Sequence, residues 1–287
     1  MFSSFVPAPP ALPDLLIDPV VRAALAEDLG KGGDLTASLI APTARLSAFI
    51  AARREGRVAG VACARLALKA LDPDGVFEIL LEDGADVARG EPIARIEGLA
   101  RAVLSAERTA LNLMGRLSGV ATLTRTYVRA VEGIPVQIVD TRKTTPGLRA
   151  LEKYAVRCGG GVNHRYGLDD AILIKDNHVV ACGGVAPALA RARAVAGWLT
   201  PIEVEVDSLE QLAQALPLAP AVVMLDNFSV EDLRRAVVMA EGRVRLEASG
   251  GVTLETVRAI AETGVQAISV GALTHSAPVL DIGLDAV

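Results

Sequence analysis

The stretch PIEVEVDSLEQLAQALPLAPAVVMLDNFSVEDLRRAVVMAEGRVRLEASGGVTLETVRAIAETGVQAISVGALTHS (residues 201–276) decides the fold. It holds four short apolar runs: IEVEV (202–206), AVVML (221–225), VRLEA (244–248) and QAISV (266–270). The runs end about every 20 residues, with helical segments between them. Those segments have readable starts. Ser208 and Gln211 make an S-x-x-Q capping box, Ser229 precedes VEDLRRAVVMAEG, and Thr253 precedes LETVRAIAETG. Strand and helix alternating at this spacing dictate a parallel sheet or a (β/α) barrel.

Two upstream runs, VQIVD (136–140) and AILIK (171–175), bring the strands to six. That is short of the eight strands and roughly 250 residues of a full barrel, so the expectation is an open, incomplete TIM-like barrel. The acids within one run support a barrel. In IEVEVD, Val204 and Val206 share one face while Glu203, Glu205 and Asp207 share the other. A buried parallel strand reads as continuously apolar. Acids on one face therefore mean either a solvated, cation-rich barrel centre or an exposed edge strand.

Upstream of the repeat the texture differs. Residues 44–98 are strand-like and turn-rich, and a helical region runs from Leu99 to about Val131. An α/β sandwich-like N-terminal domain is expected over residues 1–116. The open barrel is expected over 117–287, with its C-terminal tail free to pack back on the first domain. An earlier helix is expected to begin at Asp18-Pro19. In the long helical region Leu104, Arg108, Leu111 and Gly115 fall on one stripe, which puts Arg108 on a face that should be buried. A guanidinium there needs an anion, supplied by a salt bridge or by a ligand.

Composition narrows the classes. The chain is 51% hydrophobic and 22% charged, with a formal charge of −5 and 3% aromatics. Those numbers disfavour disorder and a nucleic-acid partner, which calls for basic surface or stacking aromatics. Mean hydropathy is +0.39. Yet the longest stretch free of Asp, Glu, Lys and Arg, Thr263–Leu280, has 18 residues and carries Gln266, Thr274, His275, Ser276 and Pro278, so it is shorter and more polar than the ~20 apolar residues that span a bilayer. No membrane partner is expected. MFSSFVPAPPALPDLL lacks a basic start and is broken by prolines, so it reads poorly as a signal peptide. Cys63, Cys158 and Cys182 are scattered and odd in number, which suggests reduced thiols and a cytoplasmic setting.

In parallel α/β folds the chemistry sits at the carboxyl ends of the strands. Here those ends read DTRKTTPG, KDNH, EVEVDS, LDNFS, EASGG and SVGALTHS. From Thr141 to Arg165 stand Arg142, Lys143, Arg149, Lys153, Arg157 and Arg165 against one anion, Glu152, a local charge of +5. Arg149, Lys153 and Arg157 recur at i+4 on a helix expected to start at Thr145-Pro146, and read as a solvated face. Arg142 and Lys143 are loop residues and read as anion ligands. Lys175 is either a Schiff-base nucleophile or a carboxylate clamp. Glu205 and Asp226 are placed to hold Mg²⁺ or to face developing positive charge. Ser249-Gly250-Gly251 and Gly271-Ala272 precede helix starts, the usual place for a phosphate. His275 reads equally as a surface histidine. The ligand implied is polyanionic, phosphorylated and metal-associated.

DTRKTTPGLRALEKYAVRCGGGVNHRYGLDDAILIKDNH (residues 140–178) closely resembles the signature of the quinolinate phosphoribosyltransferase family, the carboxylating nicotinate-nucleotide pyrophosphorylases. GDLTASLI, SAERTALNLMGRLSG, EVEVDSLEQL, MLDNFS, LEASGGV and SVGALTHS resemble the same family in the same order. The resemblance implies that quinolinate and phosphoribosyl pyrophosphate become nicotinate mononucleotide, pyrophosphate and CO₂ in de novo NAD synthesis, with Mg²⁺. It implies a homodimer, or a higher assembly, in which the partner subunit contributes Arg108 to a shared site. Quinolinate would be held by Arg108, Arg142, His164, Arg165 and Lys175. Phosphoribosyl pyrophosphate would meet Thr141, Lys143, Glu205, Asp226, Ser249, Gly250, Gly251, Val270, Gly271, Ala272 and His275. Lys143, Lys175, Glu205 and Asp226 would carry the catalysis, and Glu205 and Asp226 would hold Mg²⁺ partly through water and substrate. The competing readings are a molybdenum-operon paralogue with another substrate and an aldolase-like barrel using Lys175 as a Schiff base.

Overall fold

The computed structural model describes residues 10–287, and residues 1–9, the first part of the proline-rich lead, lie outside them. The chain forms two compact units. One holds residues 10–125, Thr144–Gly160 and Ala272–Val287, and the other holds Thr126–Lys143 and Gly161–Gly271.

The first unit opens with α1 (Asp14–Leu29), β1 (Arg45–Ala52) and β2 (Gly56–Arg57). It continues through α2 (Val61–Leu71), β3 (Val76–Ile79), β4 (Asp86–Val87) and β5 (Pro92–Leu99) into α3 (Ala100–Ala130). The helix expected at Asp18-Pro19 starts a turn earlier and carries Pro19 inside it. Asp14 pins that extra turn by receiving Arg65 Nη2 at 2.6 Å. Ala48, Ile50 and Ala52 of β1 alternate inward and are buried, the period of a half-covered strand. Ile50, Ala64, Leu68, Ile96, Val103 and Ala106 surround one small void, so the sheet packs on α2 and α3.

After α3 the second unit supplies β6 (Gln137–Val139), and α4 (Arg149–Cys158) returns to the first. Then β7 (Ile172–Ile174), α5 (Asp176–Cys182), α6 (Val185–Val195), β8 (Ile202–Val206), α7 (Leu209–Ala215) and β9 (Val222–Asp226) follow. α8 (Val230–Ala240), β10 (Arg245–Ser249), α9 (Val257–Ala261) and β11 (Ala267–Ser269) complete the second unit. All six apolar runs are strands. They form one parallel sheet in the order β6-β11-β10-β9-β8-β7. β6 and β7 end this TIM-like sheet without pairing to each other, and Val162 adds a single parallel bridge outside Val139. The barrel is open, as the strand count required. Ser208 and Ser229 cap α7 and α8 by accepting the N–H groups of Gln211 and Asp232.

α10 (Ala272–His275) and β12 (Ile282–Ala286) lie in the first unit, where an antiparallel sheet has the order β12-β1-β5-β3. The approach to β12 runs along α3 because glycines allow it. Gly115 O accepts the Leu280 N–H at 3.0 Å. A Cβ on Gly119 would collide with the Pro278 carbonyl, so only glycine admits so close a backbone.

α4 differs from its expectation in two ways. It begins at Arg149 rather than beside Pro146, because Gly147 sits at φ 82°, outside the helical region. Its cations are not a solvated face either. Lys153 is fully buried, and Arg149 and Arg157 are half-buried. The reason is that Leu151, Glu152, Ala155, Val156 and Cys158 are buried around them, so the helix is covered on several sides. Glu152 is the hub. Its Oε1 accepts from Arg116 Nη2 at 2.8 Å, Arg116 Nε at 3.1 Å and Thr145 Oγ1 at 2.8 Å, while Oε2 accepts the Thr145 N–H at 3.0 Å. Arg116 also donates to the carbonyls of Thr274 and Ala277. Glu152→Ala should cost about 3 kcal/mol, because it removes the buried carboxylate that the half-buried Arg116 and the Thr145 hydroxyl and N–H all share. Urea denaturation measures this, and a loss under about 1 kcal/mol would reduce the pair to a surface bridge.

Among the described residues no helix is long and apolar enough to cross a membrane.

Candidate active site

β8 lies between β7 and β9, which removes the edge-strand reading of its acids. Val204 and Val206 are buried on one face, and Glu203 is buried on the other. The barrel centre therefore carries the acids, as the alternation required.

At the carboxyl ends, Glu205 Oε2 receives Lys175 Nζ at 3.1 Å. Asp226 closes the neighbouring strand and pairs in register with Ser249 of β10. Asp226 Oδ2 accepts Asn227 Nδ2 at 2.7 Å, and the Asn227 N–H donates to Ser249 O at 2.9 Å. Gly250 follows at φ 94° and Gly251 at φ 58°. A Cβ on Gly250 would strike the Asn227 side chain, so glycine is obligatory at this corner. Val270 is buried, its N–H donating to Val139 O at 2.9 Å, and it leads into Gly271. The helices beyond these two loops, α9 and α10, are single short turns. Backbone amides rather than a long helix dipole are what the loops present to an anion.

Thr141 Oγ1 accepts the Lys143 N–H at 3.1 Å, which shapes the loop after β6. Lys143 is exposed, Thr141 and Arg142 are half-buried. Arg142 and Arg165 are electrostatic neighbours: burial first, and then the Arg142 guanidinium, hold Arg165 below the usual arginine range. Arg165 Nη1 donates to Ala171 O at 3.1 Å. The Nε atoms of both arginines are buried without a hydrogen-bond partner. Two adjacent guanidiniums with unmet donors are costly unless an anion answers them.

His164 turns inward instead of joining them. Its Nδ1 accepts the Arg165 N–H at 2.8 Å, and its Nε2 lies 2.9 Å from Glu203 Oε2 and 3.7 Å from Glu247 Oε2. Asp140, fully buried, accepts the His164 N–H at 2.8 Å and Asn163 Nδ2 at 2.6 Å. A cavity of about 480 Å³ lies beneath, lined by His164, Arg165, Glu203 and Glu247 and by strand beginnings such as Gln137 and Arg245. Its lining includes the first residues of the six parallel strands and none of Lys175, Glu205 and Asp226.

Burial, with Glu203 facing it, pushes the Glu247 carboxyl up to about 7. Its folded value thus lies above the ordinary carboxylate value. Between the two, the native chain keeps a proton that the unfolded chain has released, so stability from this group falls as pH rises through that window. Glu247→Gln removes the cost. Its melting temperature should gain on the parent's between about pH 5 and about pH 8, with the gap widest above pH 7. A gap that is constant with pH would contradict this.

Arg108, Ala272 and His275 belong to the first unit. His275 is exposed, with Nδ1 2.6 Å from Ser276 Oγ. The α3 stripe is only half covered: Leu111 and Gly115 are buried, but Leu104 and Arg108 are exposed. The Arg108 side chain is 64% exposed and approaches Glu107 at 4.0 Å. The expectation that it projects from a buried face fails in the single chain, because nothing among the described residues covers that turn. Sequence reasoning missed Asp140 and Glu247, and saw Glu203 only as one acid of an alternating strand. The available sign was a buried-side acid within each of two parallel strands, Glu203 in β8 and Glu247 in β10.

Two family models cover most of the chain. The quinolinate phosphoribosyl transferase N-terminal domain matches residues 34–118, and the C-terminal domain of the same family matches 120–285. The nicotinate-nucleotide pyrophosphorylase (carboxylating) of Mycobacterium leprae is 49% identical over 271 residues, covering 92% of this chain and 95% of that protein. Quinolinate phosphoribosyltransferase (decarboxylating) 1b of Nicotiana tabacum is 41% identical over 303 residues, covering 98% and 85%. The solved nicotinate-nucleotide pyrophosphorylase of Francisella tularensis superposes with a TM-score of 0.93 at 41% identity, covering 96% of this chain and 98% of that one.

Proposed function

The chain belongs to the quinolinate phosphoribosyl transferase family, and we propose that the cationic mouth of its open barrel is where quinolinate and phosphoribosyl pyrophosphate are joined. The reaction gives nicotinate mononucleotide, pyrophosphate and CO₂ and serves NAD biosynthesis. The observation that carries the site is the Arg142–Arg165 pair, whose buried Nε donors have no partner. Quinolinate is a pyridine with two adjacent carboxylates, and guanidinium forks match carboxylates in shape and charge. Arg142, Arg165 and Lys175 hold it, and Arg108 of the partner subunit completes the grip. The exposed Leu104–Arg108 turn of α3 supports such a partner. His164 has both ring nitrogens engaged inside the barrel and is left out of the ligand set.

Lys143 meets the pyrophosphate and Thr141 shapes its loop. Ser249, Gly250, Gly251, Val270 and Gly271 hold the 5-phosphate through backbone amides. Glu205 and Asp226 bind the ribose hydroxyls and face the positive charge that grows at C1′ as pyrophosphate departs. Two carboxylates from adjacent strands are a hard oxygen set. That suits Mg²⁺, which takes one or two carboxylates and fills its remaining positions with water and phosphate. When bound, the ion would offset the charge of the leaving pyrophosphate.

The order of steps follows from charge. The ring nitrogen attacks C1′, the C1′–O bond to pyrophosphate breaks, and the pyridine becomes cationic. The C2–carboxylate bond then breaks, CO₂ leaves, and its electron pair at C2 sits beside the positive nitrogen until it takes a proton. Accumulation of nicotinate before any pyrophosphate would reverse this order. Lys175 as a Schiff-base nucleophile fits less well, since its Nζ is held by Glu205 rather than by an apolar pocket or another cation. Cys63 and Cys158 are buried thiols pushed up to about 12 by burial. Inert thiols of this kind suit a cytoplasmic protein and no covalent role. The deciding experiment is a coupled assay of CO₂ and nicotinate mononucleotide from quinolinate and phosphoribosyl pyrophosphate. Product from nicotinate but none from quinolinate refutes the assignment.

A further inference from the structure

We propose that Glu203 is a positioning residue for quinolinate recognition, acting through His164 to fix the backbone at Arg165 and so the guanidinium beside Arg142. The inference rests on the reading of Arg165 as a quinolinate ligand.

The connection runs through hydrogen bonds that each have one direction. Asp140 receives the His164 N–H and the Asn163 side chain, which ties this segment to the end of β6. His164 Nδ1 receives the Arg165 N–H. A ring nitrogen that accepts carries no proton, so the neutral ring has its proton on Nε2 and donates it to Glu203 Oε2 at 2.9 Å. Glu247 Oε2 stands 3.7 Å from the same nitrogen. Glu203 and Glu247 belong to β8 and β10, the strands that flank β9. The imidazole is thus held between two walls of the barrel, and Arg165 hangs from its other edge. Glu203 is also an electrostatic neighbour of the Arg165 guanidinium and offsets the repulsion from Arg142.

The same three side chains have donor atoms within 4.8 Å of one another, a spacing that would suit a metal ion. The ring argues against one. A ligating histidine offers one nitrogen lone pair and donates the other N–H to a second partner. Here the second nitrogen accepts, so Nε2 has no lone pair to give. The cluster is a strut beneath the site.

Steady-state kinetics separate a strut from a general structural role. Glu203→Ala should raise KM for quinolinate about tenfold and leave KM for phosphoribosyl pyrophosphate within about twofold. Glu203→Gln keeps an acceptor for the Nε2 proton and should recover most of the loss. In an Arg165→Lys background, Glu203→Ala should add less than about twofold, since the residue it positions is already changed. His164→Asn, which keeps an acceptor for the Arg165 N–H but loses the reach to Glu203, should repeat the selective rise and serves if Glu203→Ala does not fold. Equal rises in both KM values, or full additivity with Arg165→Lys, would overturn the proposal. So would a melting-temperature rise with added Zn²⁺ or Mn²⁺ that His164→Asn abolishes. If Arg165→Lys alone leaves quinolinate KM unchanged, it is the ligand assignment that fails.

Discussion

Arg142→Ala should lower kcat/KM for quinolinate by on the order of 10³-fold while leaving the fold intact. The size follows from what the guanidinium does. A hydrogen bond to a charged group contributes about 1.5–3 kcal/mol, and a fork makes two, so about 4 kcal/mol is at stake where water is excluded. That is about three powers of ten in rate. The stability side has the opposite sign. Arg142 is a neighbour of Arg165 and its own Nε is unmet, so the free enzyme carries the pair at a cost. Removing one member should leave the melting temperature unchanged or slightly raised. Arg142→Lys should restore little, because an ammonium keeps the charge but not the planar fork. A fall under about tenfold in kcat/KM would mean that another group carries the carboxylate.

The barrel was legible because its physics is periodic. Six apolar runs at regular spacing, each followed by a capped helix, leave few other folds, and all six are strands. The acids of IEVEV also declared a polar centre, since Glu203 is buried there. What stayed hidden depends on packing partners far apart in sequence. Lys153 looked solvated because its i±4 neighbours are cations, yet α4 is covered on the side that periodicity assigned to water. Glu152 looked like a lone anion among cations, and its partner Arg116 lies 36 residues earlier. His164 stands next to Arg165, and the family resemblance implied that both hold quinolinate. The His164 ring is instead taken up by the Arg165 N–H on one nitrogen and by Glu203 on the other. Gly250 and Gly119 were visible as glycines, but only the neighbouring Asn227 and Pro278 show why no other residue serves.

Arg108→Ala should abolish use of quinolinate, and mixing it with Arg142→Ala should bring activity back. Within one chain Arg108 is an exposed guanidinium whose nearest acid, Glu107, is 4.0 Å away. An exposed pair at that distance is worth little, so the substitution should barely affect stability. Its effect on catalysis then measures what the partner subunit needs. In a two-fold dimer with shared sites, each site joins Arg142 of one subunit to Arg108 of the other. A mixed dimer of the two variants has one site in which both arginines are intact and one in which both are lost. Random reassortment of equal amounts makes half the dimers mixed, so about a quarter of parental activity should return. Two inactive proteins that together regain a quarter cannot be explained by a site built within a single chain. Mixed dimers verified by mass spectrometry that stay inactive would place Arg108 in its own subunit's site, or outside any site.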